Sequence, residues 1–345
     1  MTQPIREHAA NRKLKAALES ALRTVGDPKL TPEQKLDAAQ HAVMNLTTHQ
    51  TAPDIADGAQ LAKAAAERWE RRRKAVDGLM GLSWGLPDLD RMTGGLQGGM
   101  LYVLGGRPAM GKTWLGLAAA SHMALTLNKP ALVVSLEMGR ESVAERIAAC
   151  EAGLNAKELL QATPGQVKRY QSALTKLETS PLFVDDSSTT PITALGSRAR
   201  KLHRSAPLGL IVVDYLQLID TTDADSSSTR ATQVGNLSRG LKKLARELNV
   251  PVLVLSQLSR NVESRPNKRP MLSDLKESSS IEQDADVVLF LYREEYYNPK
   301  TDRPNVAEIN VAKQREGEVG TFEVSFDPAI GRFEQLSYAY EGGRA

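Results

Sequence analysis

Three features of this 345-residue sequence predict an α/β fold with a mostly parallel central sheet. Short apolar runs alternate with helix-period stretches, the pattern of strands buried on both faces and joined by crossover helices. One run, Met100 to Leu104, leads straight into Gly106-Arg107-Pro108-Ala109-Met110-Gly111-Lys112-Thr113, which has the form G-x-x-x-x-G-K-[ST] and is followed by a helix pattern. Another, Leu210 to Val213, ends in Asp214.

The chain opens with two short helix patterns. Leu14, Leu18, Leu22 and Val25 recur at helical spacing, and Thr31-Pro32-Glu33-Gln34 reads as a cap for a second helix carrying Leu36, Val43 and Leu46. A helical segment over 1–50 is too small for a core of its own and is expected to pack on something else. Residues 51–78 read as a linker and a helix. Leu61, Ala65, Trp69 and Val76 form a narrow apolar stripe suited to docking, and the basic run Arg71-Arg72-Arg73-Lys74 reads as a solvated face in preference to a DNA contact. The main domain is expected over 79–338, with a tail over 339–345.

Within that domain the run before Gly106 is the first strand, and Thr113 to Leu127 is the helix behind the loop. Further strands are expected at Ala131–Leu136, Pro181–Val184, Leu210–Val213, Val250–Ser256 and Asp286–Leu291, and a terminal hairpin at Val306–Ala312 and Thr321–Phe326. Val234, Leu237, Leu241, Leu244 and Leu248 mark a helix between two polar stretches, 220–232 and 260–280, which read as mobile loops.

Composition narrows the function classes. Lys+Arg 44 against Asp+Glu 41 gives a net charge of only +3, so any nucleic-acid surface must be local. The single cysteine, Cys150, excludes a disulfide framework and a cysteine zinc site, and reads as inert packing. No apolar stretch approaches the ~20 residues of a membrane span, so a soluble cytoplasmic protein without a membrane partner is expected.

The chemistry centres on the glycine-rich loop. Glycines let the backbone approach phosphate with N–H groups inward, and the helix N-terminus favours the negative charge. Gly106 to Thr113 is thus the nucleotide-binding set, with Lys112 reaching the β- and γ-phosphates and the Thr113 hydroxyl ligating Mg²⁺. Asp214 is the expected carboxylate of the Mg²⁺ site. Glu137 follows its strand at once and would emerge at the same sheet edge, which makes it the candidate general base. Gln257 closes a third apolar strand, where its amide could contact the γ-phosphate, although a polar strand end has ordinary structural uses too. The loop 260–280 carries Arg260, Arg265, Lys268, Arg269 and Lys276 among Ser and Asn, which suits phosphate contacts better than base reading.

The ordered motifs Leu89 to Leu96, Gly106 to Thr113, Ser135 to Met138, Val213 to Leu218, Leu255 to Arg260, Ser273 to Ser278, Ile281 to Asp286 and Ala312 to Arg315 resemble those of DnaB-type replicative helicases. The resemblance implies a RecA-like P-loop NTPase core that uses ATP and Mg²⁺, assembles as a homohexamer and moves along single-stranded DNA. It makes Glu137 the catalytic glutamate, Asp214 the Mg²⁺-site aspartate and Gln257 the γ-phosphate sensor. Arg315 becomes an arginine finger for the neighbouring subunit, with Lys313 beside it. DNA contacts fall to Arg260, Lys276, Glu277 and Ser279, and a loader and a primase are further implied partners. Lys276 and Ser279 stand where family members typically carry Arg and Gly, which exchanges a bidentate cation for a point charge and removes backbone freedom. Residues 1–51 are shorter than the family's usual helical N-terminal domain, which suggests a truncated or phage-encoded member. Two other functions share such a core: a RecA/RadA-like recombinase and an ATP-switched helicase loader.

Overall fold

The computed structural model describes residues 56–75, 78–155, 158–187, 191–214, 230–275 and 279–336, with isolated positions between 15 and 35. The two N-terminal helix patterns, Val76, the loop expected over 220–232 and the tail 339–345 lie wholly or largely outside those residues. The chain divides into two units, Met1–Glu70 and Arg71–Ala345. Helix α1 (Gly58–Lys74) opens on a reciprocal cap, with the Gln60 N–H donating to Asp57 Oδ1 (2.8 Å) and the Asp57 N–H to Gln60 Oε1 (3.1 Å). No residue of α1 is buried, and the stripe residues Leu61 and Trp69 are 60% and 59% exposed.

In the second unit, α2 (Pro87–Thr93) precedes β1 (Leu101–Gly106), α3 (Lys112–Ser121), β2 (Ala131–Ser135) and α4 (Arg140–Ala152). Then come α5 (Pro164–Glu178), β3 (Leu182–Asp185), α6 (Ile192–Ser205), β4 (Leu210–Asp214), α7 (Arg230–Leu248) and β5 (Val252–Gln257). The chain continues through α8 (Ser279–Asp284), β6 (Val287–Tyr292), the single turn α9 (Glu294–Tyr297), β7 (Val306–Gln314), β8 (Gly320–Asp327) and β9 (Arg332–Gln335). Every expected strand is present within two residues at each end. The helix behind the loop is shorter in its α-helical part than the expected 113–127. A wider π turn over His122–Thr126 follows it, closed by the Leu127 N–H donating to His122 O (3.0 Å) and stopped by Asn128 at φ 50°.

The nine strands form one sheet in the order β3-β2-β4-β5-β1-β6-β7-β8-β9. All pairs from β3 to β6 are parallel and those from β6 to β9 are antiparallel. Successive residues of the central strands face opposite cores. Tyr102, Leu104, Val133, Val212 and Leu253 join Leu115 of α3 and Ile147 of α4 on one side. Leu101, Val103, Val134, Val213 and Val254 join Leu195 of α6, Leu241 of α7 and Ile281 of α8 on the other. Burial on both faces explains why the strands read as unbroken apolar runs. Between β6 and β7 the register shifts: Val288 pairs Lys313 but Leu289 pairs Val311, so Ala312 is an extra residue in the ladder.

Candidate nucleotide site

Register brings the candidate residues to one edge. The parallel pairing sets Gly106 at the end of β1 opposite Gln257 at the end of β5, and Ser135 at the end of β2 opposite Asp214 at the end of β4. Glu137 follows two residues after β2, and the Leu136 N–H donates to Asp214 O (2.8 Å) to hold that turn. The loop between β1 and α3 is shaped by two left-handed residues, Ala109 (φ 63°) and Gly111 (φ 105°), the second being the N-cap of α3. A Cβ on Gly105 would lie 2.8 Å from the Phe290 ring, so that strand end admits no side chain. No acidic residue stands in the first turn of α3, which leaves its positive end to an anion.

The cavity at this edge has a volume of about 410 Å³ and is lined by Lys112, Thr113, Glu137, Asp214 and Gln257, among others. Lys112 folds back so that its Nζ donates to Arg107 O (3.1 Å). Burial lowers its pKa to about 8, against the opposing pull of Asp214 and Glu137. Asp214 is 5% exposed. Burial raises its pKa, while a hydrogen bond with the Thr113 side chain acts the other way. A hydroxyl beside a carboxylate is a hard oxygen pair that fits Mg²⁺. Among the described residues no three His, Cys, Asp or Glu cluster to cage a metal, so such a cation would take its remaining ligands from phosphates and water.

Some loop residues point elsewhere. Pro108, Ala109, Gly111, Lys112 and Thr113 line the cavity, whereas Met110 is 1% exposed in the core and Gly106 packs against the Lys112 stem. The Arg107 side chain leaves the cavity altogether: its Nε meets Glu263 Oε1 at 2.9 Å and its Nη1 donates to Leu258 O at 2.9 Å. Two cationic walls escaped the sequence reading. Arg293, 7% exposed, lies over the Phe326 ring at 4.9 Å, pairs with Glu295 at 2.9 Å and has no partner for its Nε among the described residues. It directly follows β6, so the strand-end logic that picked out Asp214 and Gln257 would have found it. Arg146 lies over the Trp114 ring at 5.0 Å, deep in α4, where nothing in the sequence marks it.

Arg315 and Lys313 are not at this edge. Gln314 pairs with Val287, the first residue of β6, while the cavity lies at the far end of the parallel strands, roughly 20 Å away at ~3.3 Å per residue. Arg315 Nη2 donates to Gln283 O (2.5 Å) and its Nε lies 3.6 Å from Asp286. Lys313 Nζ donates to Ala285 O (2.9 Å) and to Glu282 O, and burial, then the nearby Arg315 charge, lowers its pKa.

The segment 260–275, expected as a mobile basic loop, is instead pinned by its own cations. Arg265 pairs with Asp274 (2.6 Å), Arg269 grips both oxygens of Glu308 (2.7 and 2.6 Å), and Lys268 lies over the Tyr297 ring (4.6 Å). A cation whose charge is satisfied within the fold is poorly placed to serve a phosphate. Arg260 remains exposed on the short turn Arg260–Ser264. Lys276, Glu277 and the Ser279 side chain lie outside the described residues.

Residues 81–335 match the family described as DnaB-like helicase C terminal domain. The replicative DNA helicase DnaB of Geobacillus stearothermophilus is 40% identical over 265 residues, 76% of this chain and 58% of that protein. The replicative DNA helicase DnaC of Bacillus subtilis (strain 168) is 36% identical over 311 residues, 90% of this chain and 68% of its own. Among solved structures, one of an isolated ATPase domain superposes with a TM-score of 0.77 at 35% identity, covering 81% of this chain and 100% of that one. A DnaB-like replicative helicase solved in a study of its interactions with primase gives 0.82 at 31%, covering 97% of this chain and 78% of that one. Because the matched span of residues 81–335 contains the whole sheet and every wall of the cavity, this chain belongs to the DnaB-like helicases through their C-terminal domain.

Proposed function

We propose that this chain is an ATP-dependent replicative DNA helicase that works as a ring hexamer on single-stranded DNA. The observation that carries this is the convergence of Lys112, Thr113, Glu137, Asp214 and Gln257 on one cavity at the carboxyl ends of the strands. In this reading the loop N–H groups and Lys112 hold the triphosphate tail, and Glu137 orients and deprotonates the attacking water. Thr113 and Asp214 hold Mg²⁺, which neutralises charge on the phosphates. Gln257 contacts the γ-phosphate from the end of β5. Arg315, too distant to serve its own cavity, completes the site of an adjoining copy, so hydrolysis depends on assembly. Arg260, with Lys276, Glu277 and Ser279, contacts the DNA backbone. A loader and a primase are the partners expected of such a motor.

The test is Glu137→Gln. Nucleotide binding should persist while hydrolysis stimulated by single-stranded DNA falls by at least ~10²-fold, the upper range for a lost general base being ~10⁴. Unchanged hydrolysis sinks the mechanism. Unwinding of a forked duplex without homologous pairing separates the helicase from a recombinase or an ATP-switched loader.

A further inference from the structure

Arg107 is an unusual tenant of a phosphate-binding loop, because its side chain is 6% exposed and aimed away from the phosphates. A guanidinium buried to that degree must be paired. Both its partners belong to the segment after β5. Leu258, whose carbonyl it holds, directly follows Gln257, and Glu263 lies within the turn Arg260–Ser264 that presents Arg260. The turn is fixed from its other side as well. Ser259 Oγ accepts from the Asn261 N–H (3.3 Å), Val262 is fully buried, the Ser259 N–H donates to Asp274 O (2.9 Å), and Leu258 bridges Leu275. One side chain of the nucleotide loop thus grips the turn at two points.

The backbone of the same residue changes partner with the ligand. Lys112 Nζ is bonded to Arg107 O, and a triphosphate that draws the ammonium away removes that bond. This gives the loop two states with different contacts, as any coupling requires.

We propose that the Arg107–Glu263 ion pair couples the state of the nucleotide loop to the turn carrying Arg260, and through it couples hydrolysis to DNA. The proposal rests on the helicase reading, which makes Arg260 a DNA contact. Arg107 and Glu263 are positioning residues, acting through the loop and the turn. By linkage the coupling runs both ways: DNA on the turn alters the loop, and triphosphate in the loop alters DNA affinity by the same factor.

Glu263→Gln removes the charge and keeps the shape. In the full chain, basal hydrolysis without DNA, affinity for a fluorescent ADP and the thermal midpoint should all stay close to those of the unmutated protein. Stimulation of hydrolysis by an oligo-dT strand should fall about 5-fold or more, the lower end of ordinary coupling factors. The gain in oligo-dT affinity conferred by a non-hydrolysable ATP analogue should shrink in parallel, which a merely structural pair would not cause. Glu263→Asp, which retains the charge, should keep more of both effects than Glu263→Gln, and it carries the test if the Gln variant does not fold. Full stimulation in a folded variant overturns the coupling alone. Absence of stimulation in the unmutated chain overturns the helicase reading and the coupling with it.

Discussion

At the scale of single residues, Lys112 gives the cavity a pH response. Burial lowers its pKa to about 8 in the nucleotide-free chain. Below that value phosphate meets a ready ammonium. Above it, binding must take up a proton, so affinity falls as pH rises. Between pH 7 and pH 9 the dissociation constant for ADP should increase about tenfold, which a fluorescence titration at constant ionic strength would measure. A flat profile would mean that Lys112 stays charged without nucleotide. Lys112 was legible because the motif fixes it. Arg146 was not, because its role depends on α4 passing beside Trp114, and no local pattern encodes that passage.

At the scale of elements, Asp286 is where several meet. It is 6% exposed, and its Oδ2 accepts from the Leu101 N–H at the start of β1 (2.7 Å) and from Lys242 Nζ of α7 (2.5 Å), while Oδ1 faces Arg315 after β7 (3.6 Å). Replacing it by alanine strands a buried ammonium and a buried N–H. Asp286→Ala should lower unfolding stability by about 3–5 kcal/mol, read from the urea midpoint. Most elements could be read from the sequence because apolar runs buried on two faces, such as Leu253 to Leu255, announce themselves. β9 could not: Arg332-Phe333-Glu334-Gln335 has one core residue, and it becomes a strand only because β8 offers an edge. The basic segment 260–275 misled for the opposite reason, since its cations find acids such as Glu308, which lies far along the chain.

At the scale of the whole molecule, the two ends of the sheet do different work. The cavity sits at the carboxyl end of the parallel strands and Arg315 at the other, so Arg315→Ala and Glu137→Gln damage different halves of a shared site. Each variant alone should be nearly inactive. Mixed in equal amounts and allowed to reassemble, they should regain hydrolysis, since random pairing leaves roughly a quarter of the sites with both groups intact. No recovery on mixing would place Arg315 outside the reaction. The arm itself depends on the extra residue Ala312. Ala307, Ile309 and Val311 face the core shared with α3, yet Lys313 and Arg315 bond to carbonyls in and just after α8, on the sheet's opposite face. The bulge changes the parity of the strand between those two sets. Parity survives most substitutions but not a change of count. Substitutions at Ala312 should therefore be tolerated far better than its deletion, which would turn Arg315 toward the wrong face of its own sheet and silence the neighbour while leaving the chain's own cavity complete.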